Sequence, residues 1–184
     1  MMARFGRLDD PRVQKAIGWI VSHQKADGGW HCFPSKVGTL DGWEGMAAFA
    51  EIPEAERSSA VRRSIERGAE FYLKRGLLRE GRGAYAPWRR THFPAFYYYD
   101  FLVGLEFMTA LGYGEDRRLK PALDLLKRKR NRDGTWDLDR LHPDTEDPSY
   151  PLRRSYLAMG FELPGQPSRV TTARAATVMR RAGR

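Results

Sequence analysis

Cysteine is almost missing from this chain. Cys32 is the single thiol in 184 residues, which excludes an internal disulfide and leads us to expect a reducing, cytoplasmic setting. Long apolar runs are missing as well. The longest stretch, around Phe93 to Met108, is broken by Asp100 and Glu106, so it is too short and too charged to span a bilayer. The first twelve residues hold Asp9 and Asp10 and no apolar core, which argues against a secretory signal there. Strand-type alternation is absent, so no sheet is expected. What remains is 41% hydrophobic and 30% charged residues, enough for one globular domain over residues 1–184 with a real core.

Acidic residues are scarce at the C-terminal end. After Glu162 the chain carries arginines and no acid, and Lys127–Arg132 reads KRKRNR, within a net charge of +9. Such runs suit nucleic acid or an anionic membrane surface. Lys127 to Arg130, however, end a predicted helix, where cations complement the macrodipole. No nucleic-acid motif accompanies them, so no nucleic-acid partner is expected. Peripheral membrane contact through basic outer helices is the weaker alternative.

The informative presence is a repeat. Asp10 to Trp30 (DPRVQKAIGWIVSHQKADGGW) and Asp116 to Trp136 (DRRLKPALDLLKRKRNRDGTW) align without a gap, 106 positions apart. Half that offset, 53, aligns Ala16, Ala69, Ala122 and Ala175. It also aligns Trp19, Tyr72, Leu125 and Val178, and then Ile20, Leu73, Leu126 and Met179. A fixed period of this size signals stacked helical units that cannot each bury their own apolar face.

Apolar residues within each unit recur at helical spacing: Val13, Ala16, Trp19 and Ile20, then Leu119, Ala122, Leu125 and Leu126. The first helix is predicted from about Pro11 to Gln24, stopped by Asp27-Gly28-Gly29, and Asp133-Gly134 stops its counterpart. A second helix follows each stop. Asp41 and Glu44 have capping-box spacing ahead of Trp43–Ile52. Pro94 opens the next, through Phe96–Leu111, and Pro148 opens a third, through Tyr150–Phe161, with Asp147 as its cap. Ser168 to Arg181 is a lone first helix. The expected fold is all-α, about seven helices in three hairpins and a half, with Glu80–Pro87 and Asp137–Thr145 as loops.

The segment Trp19-Ile20-x-x-x-Gln24-x-x-x-Gly28-x-Trp30 resembles the QW repeat of the terpenoid cyclase and prenyltransferase superfamily, which includes squalene–hopene cyclases and protein prenyltransferases. Leu125-Leu126-x-x-x-Arg130-x-x-x-Gly134-x-Trp136 resembles it too, with arginine in the glutamine place. In the second copy Leu77 and Gly83 hold the glutamine and tryptophan places. The resemblance implies an α/α toroid in which the second helix of each hairpin lines a central cavity. This chain supplies roughly half of such a ring. It is an open arc, a fragment, or one half of a ring completed by a second copy, in which case the partner is a homodimer mate.

With the second helices inward, Trp43, His92, Phe93, Phe96, Tyr97, Tyr98, Asp100 and Tyr150 are placed near the cavity, alongside Asp41 and Asp147. Their rings would hold an apolar isoprenoid-like chain or a carbocation, or pack between neighbouring helices. The squalene–hopene type of cyclase protonates its substrate with the middle acid of Asp-x-Asp-Asp. The nearest pattern here is Asp144-Thr145-Glu146-Asp147, with Asp144, Glu146 and Asp147 as candidate catalytic acids and the simple helix cap as the alternative. Such an acid must be kept protonated by burial and a neighbouring carboxylate. The prenyltransferase side of the resemblance implies zinc, for which Cys32, Asp41 and His92 supply residue types but not the family spacing. No cofactor is expected. Arg89, Arg90, Arg153 and Arg154 are candidates for an isoprenoid diphosphate.

Two functions compete. One is an apolar-ligand binder, catalytic or not; the other is a non-catalytic helical-repeat scaffold for a protein partner. The first calls for a closed, aromatic-lined pocket with a desolvated acid. The second calls for an open groove with polar walls.

Overall fold

The computed structural model describes residues 3–79, 83, 85–147, 149, 151, 156, 160 and 162–183. Among them are seven α-helices: α1 (Pro11–Ser22), α2 (Glu44–Ala50), α3 (Ser59–Lys74), α4 (Phe101–Ala110), α5 (Lys120–Arg128), α6 (Pro143–Glu146) and α7 (Arg169–Arg181). Short 3-10 turns stand at Ala86–Arg89 and Arg117–Leu119.

Local chemistry starts most of the long helices. The Asp10 carboxylate accepts from Arg12 N ahead of Pro11, whose missing N–H costs nothing at this position. Ser58 caps α3 through Val61 N, Asp100 caps α4 through Val103 N, and Ser168 caps α7 through Thr171 N. Asp116 repeats the Asp10 bond 106 residues later, accepting from Arg118 N.

The tryptophan turns repeat as well. Trp30 Nε1 donates to the Ile20 carbonyl at 2.8 Å, and Trp136 Nε1 donates to the Leu126 carbonyl at 2.8 Å. Gln24 Nε2 donates to the Gly28 carbonyl, and Arg130 Nε reaches the equivalent Gly134 carbonyl. Gly28 and Gly134 both adopt left-handed backbone, with φ +94° and +90°. A side chain at Gly28 would also run into the Arg67 carbonyl, so only glycine fits there. The aligned sequence segments are therefore one piece of architecture used twice.

Packing centres on α4, where Phe101, Leu102, Val103, Leu105, Phe107 and Met108 are all buried. It touches α2, α5 and α7, while α2 also touches α3, and α3 touches α1. The repeat stripe is buried at Ala69, Ala122 and Ala175 but exposed at Ala16. Likewise Tyr72 and Val178 are buried, whereas Trp19 is 59% exposed. The stacking face of the first unit is open.

Three expectations are corrected. The fold is helix-rich but not purely all-α: β1 (His92–Phe93) pairs in parallel with β2 (Arg140–Leu141), the latter inside the Asp137–Thr145 segment read as loop. Strands of two residues are too short to show alternation in sequence. The Asp41–Glu44 capping box does not form. Trp43 stands at the N-cap of α2 without a side-chain bond, because the Asp41 carboxylate instead accepts from Trp88 Nε1 at 3.2 Å. Finally, α4 begins at Phe101 rather than Pro94. A cis Phe93–Pro94 bond and left-handed Phe96 (φ +44°) turn the chain, and the Asp100 cap fixes the later start. The third inner helix, from Pro148, lies largely outside the described residues. No helix among them is long and apolar enough to cross a membrane.

Candidate functional site

Most of the residues singled out in the aromatic run gather around one that the sequence did not flag, His142. β2 delivers it to the start of α6, where its Nδ1 accepts from Asp144 N at 3.1 Å. That bond leaves the ring proton on Nε2, a neutral tautomer inferred from the bonding pattern. The ring is fully buried and Nε2 has no partner among the described residues. Phe96, Tyr97 and Tyr98 meet it edge-on, with ring centroids 5.0, 4.7 and 5.8 Å away. Burial pushes the His142 imidazolium down from its ordinary range; Asp144 opposes this and His92 adds to it.

His92 sits across the two-stranded sheet. Its backbone N–H donates to Asp100 Oδ2 at 2.7 Å, and its Nδ1 lies 3.4 Å from the same oxygen. Asp100 thus ties β1 to the start of α4. The Tyr97 hydroxyl donates to Asp144 Oδ2 at 2.9 Å, and the Tyr97 carbonyl accepts from Trp43 Nε1 at 3.2 Å. Burial pushes the Tyr98 hydroxyl up to about 12, helped by its bond to Tyr85 and by the Asp41 charge. Phe93 stands apart, against Tyr156 in a small second cluster with Leu138 and Leu141. Tyr150, Arg153 and Arg154 lie outside the described residues.

The acidic motif has a different character from a proton donor's. Arg140 holds Glu146 through two bonds, Nε to Oε1 at 2.7 Å and Nη2 to Oε2 at 2.6 Å. This keeps the Glu146 carboxyl below its usual range. An acid that must stay protonated requires the opposite shift. Asp147 accepts from the Ser149 backbone and hydroxyl, which lower it too.

The zinc residues go separate ways. Cys32 is exposed, Asp41 accepts from Trp88, and His92 faces Asp100. Among the described residues no group of three His, Cys, Asp or Glu side chains is placed to hold a metal ion.

A groove lies elsewhere, between α2, α4 and α7, with a volume of about 470 Å³. Its shelf is Ala47, Ala50 and Ala110, with Val103 and Phe107 beneath. Glu51, Glu106, Arg174 and Arg181 supply charge, and Trp43 also lines it. Arg174 grips Glu106 at 2.6 and 2.8 Å and donates to the His92 carbonyl. The signal for Glu106 was visible as a lone acid in an apolar helix; nothing local marked Arg174. A second cleft, about 450 Å³ and mostly apolar, runs along the open face of α1 past Val13, Ile17, Ile20 and Ile52.

Compared with protein-family models, with curated proteins and with solved structures, the chain matches none.

Proposed function

We propose that this chain is a non-catalytic helical-repeat scaffold whose α2–α4–α7 groove holds an amphipathic helix of a protein partner. The observation that carries this reading is the make-up of the groove. A shelf of alanines lets a helix backbone approach closely, and charges of both signs on the rim set its register. The aromatic side chains that would have walled a ligand cavity are packed on His142 instead. The acid nearest the cyclase pattern is held ionised by Arg140. The matching tryptophan turns support an α/α-hairpin arc of the toroid type.

A benzophenone amino acid placed at Ala110 tests the idea. It should give a discrete adduct with one protein. The adducted segment, made as a peptide, should bind the purified chain and lose that binding when Ala47→Arg fills the groove. A peptide indifferent to Ala47→Arg, or no protein adduct at all, overturns the proposal.

A second reading, an isoprenoid-like apolar ligand, is favoured by the α1–α2 cleft, whose volume lies in the ordinary range for small-molecule sites. Farnesol binding that disappears on Ile17→Glu would support it; farnesol binding unaffected by Ile17→Glu, or none, retires it. The same open face, with Ala16 and Trp19 exposed, is where a second copy would continue the stack.

A further inference from the structure

A cleft of about 560 Å³ lies where the end of α3 meets the start of α5, well away from the groove described above. Lys74, Arg75 and Arg79 enter it from the end of α3, and Arg89 leans in from the 3-10 turn. Arg118, Lys120 and Arg128 form the opposite wall. The floor is Leu73 and Leu78, both buried.

Four acids pin part of this charge. Glu70 pairs with Lys74 and Arg118, Asp116 with Arg118, Asp27 with Arg75, and Asp124 with Lys120. Among the described residues, seven cations against four acids leaves an excess of three. The excess has an address: Arg79, Arg89 and Arg128 are exposed, and no ion pair or side-chain hydrogen bond engages them among the described residues. Arg79 is aimed by an unusual turn. Leu77 adopts left-handed backbone (φ +62°), which buries its side chain completely in the core and doubles the chain back on the α3 terminus. The Arg79 backbone N–H then donates to the Arg75 carbonyl, fixing both arginines at the same cleft.

We infer that this cleft binds a compact oligophosphate, either free in solution or as the headgroup of a phosphorylated inositol lipid. Guanidinium groups engage phosphate oxygens through paired, charge-assisted bonds, and three unpaired ones around a concave surface match several phosphates rather than one. No aromatic ring among the described residues lines the cleft, which therefore shows none of the stacking platform that single-stranded nucleic acid uses.

Calorimetric titration of the full chain with inorganic tripolyphosphate tests the site. One equivalent should bind, more weakly as salt rises. The triple variant Arg79→Gln, Arg89→Gln, Arg128→Gln should melt like the parent and bind on the order of a hundredfold more weakly or worse, given the usual strength of hydrogen bonds to charged groups. A control triple, Lys15→Gln, Lys36→Gln, Arg63→Gln, removes equal charge from exposed positions outside the cleft and should bind as the parent does. Phosphatidylcholine vesicles containing a polyphosphorylated inositol lipid separate the two sources. Sedimentation with the vesicles, competed by tripolyphosphate, assigns the headgroup; binding of tripolyphosphate alone assigns a soluble ligand. The inference is overturned if neither probe binds, if the two triples weaken binding equally, if sulfate at matched ionic strength does as well, or if single-stranded DNA is preferred.

Discussion

Removing the Trp136 ring probes the repeat turn directly. The side chain is 4% exposed, and its Nε1 donates to the Leu126 carbonyl at the end of α5. A buried indole removes about 150–250 Å² from water, worth about 4–6 kcal/mol at ~25 cal/mol/Å². A compact denatured state already hides some of that area, which brings the expectation for Trp136→Ala to about 3–5 kcal/mol. The backbone bonds of Trp136 to Thr172 and Ser168 survive truncation, so the loss belongs to the ring. Trp136→Phe keeps most of the packing. It should cost only about 1–2 kcal/mol, because the Leu126 carbonyl still accepts from Lys129 N. Urea unfolding at unchanged m-value is the assay. Trp30→Ala should lose a similar amount, plus about 0.5–1.5 kcal/mol for its edge contact with Phe49. A loss below about 1 kcal/mol at either tryptophan would refute the view that these rings pin the successive turns.

Gly28→Ala forces an alanine into left-handed backbone against the Arg67 carbonyl, so it should destabilise by at least the usual left-handed penalty of about 1–2 kcal/mol, read by the urea midpoint. His142 gives a pH dependence. Its folded pKa is depressed by burial, so its contribution to stability is complete above the unfolded value near ~6.5 and is lost as pH falls below it, with a slope of at most about 1.4 kcal/mol per pH unit. His92 from β1 adds to the depression and Asp144 in α6 opposes it, while Tyr97 and Tyr98 enclose the ring. His142→Asn keeps an acceptor for Asp144 N but cannot titrate, so its melting temperature should fall less than the parent's between neutral and mildly acidic pH; parallel curves would contradict the assignment. Glu146→Gln breaks a half-exposed pair with Arg140 and should cost only about 0.2–1 kcal/mol in thermal melts.

The parts of the fold that were readable in the sequence are those decided within a few residues. Pro11 opens α1, and Gly28 and Gly134 reverse the chain, each decided by its own backbone and its immediate neighbours. Two of the expectations that failed were decided at long range, whereas the late start of α4 is set locally by the Asp100 cap. Trp88, 47 residues on, takes the Asp41 carboxylate from its cap role. The Thr91 hydroxyl and Asp139 bond each other across 48 residues, aligning β1 with β2 and carrying His142 into its aromatic cage. Glu146 is an intermediate case: its partner Arg140 is only six residues away, yet the Asp144-Thr145-Glu146-Asp147 spacing carries no sign of that bond. The pattern has a physical origin. Residues shared by the tandem copies spend their polar groups on the turns themselves, as Gln24 and Trp30 do with the Gly28 and Ile20 carbonyls. They cannot also serve a ligand. At the 53-residue spacing Arg79 aligns with Arg132, and Arg128 with Arg75 and Arg181, so the arginines of the outer cleft recur, whereas Glu106 aligns with Pro53 and Met159 and its partner Arg174 with Pro121, Gly68 and Lys15. A repeat therefore reports its scaffold clearly, because the scaffold is what it repeats, and leaves unmarked a bond such as Arg174 to Glu106, whose partners lie 68 residues apart.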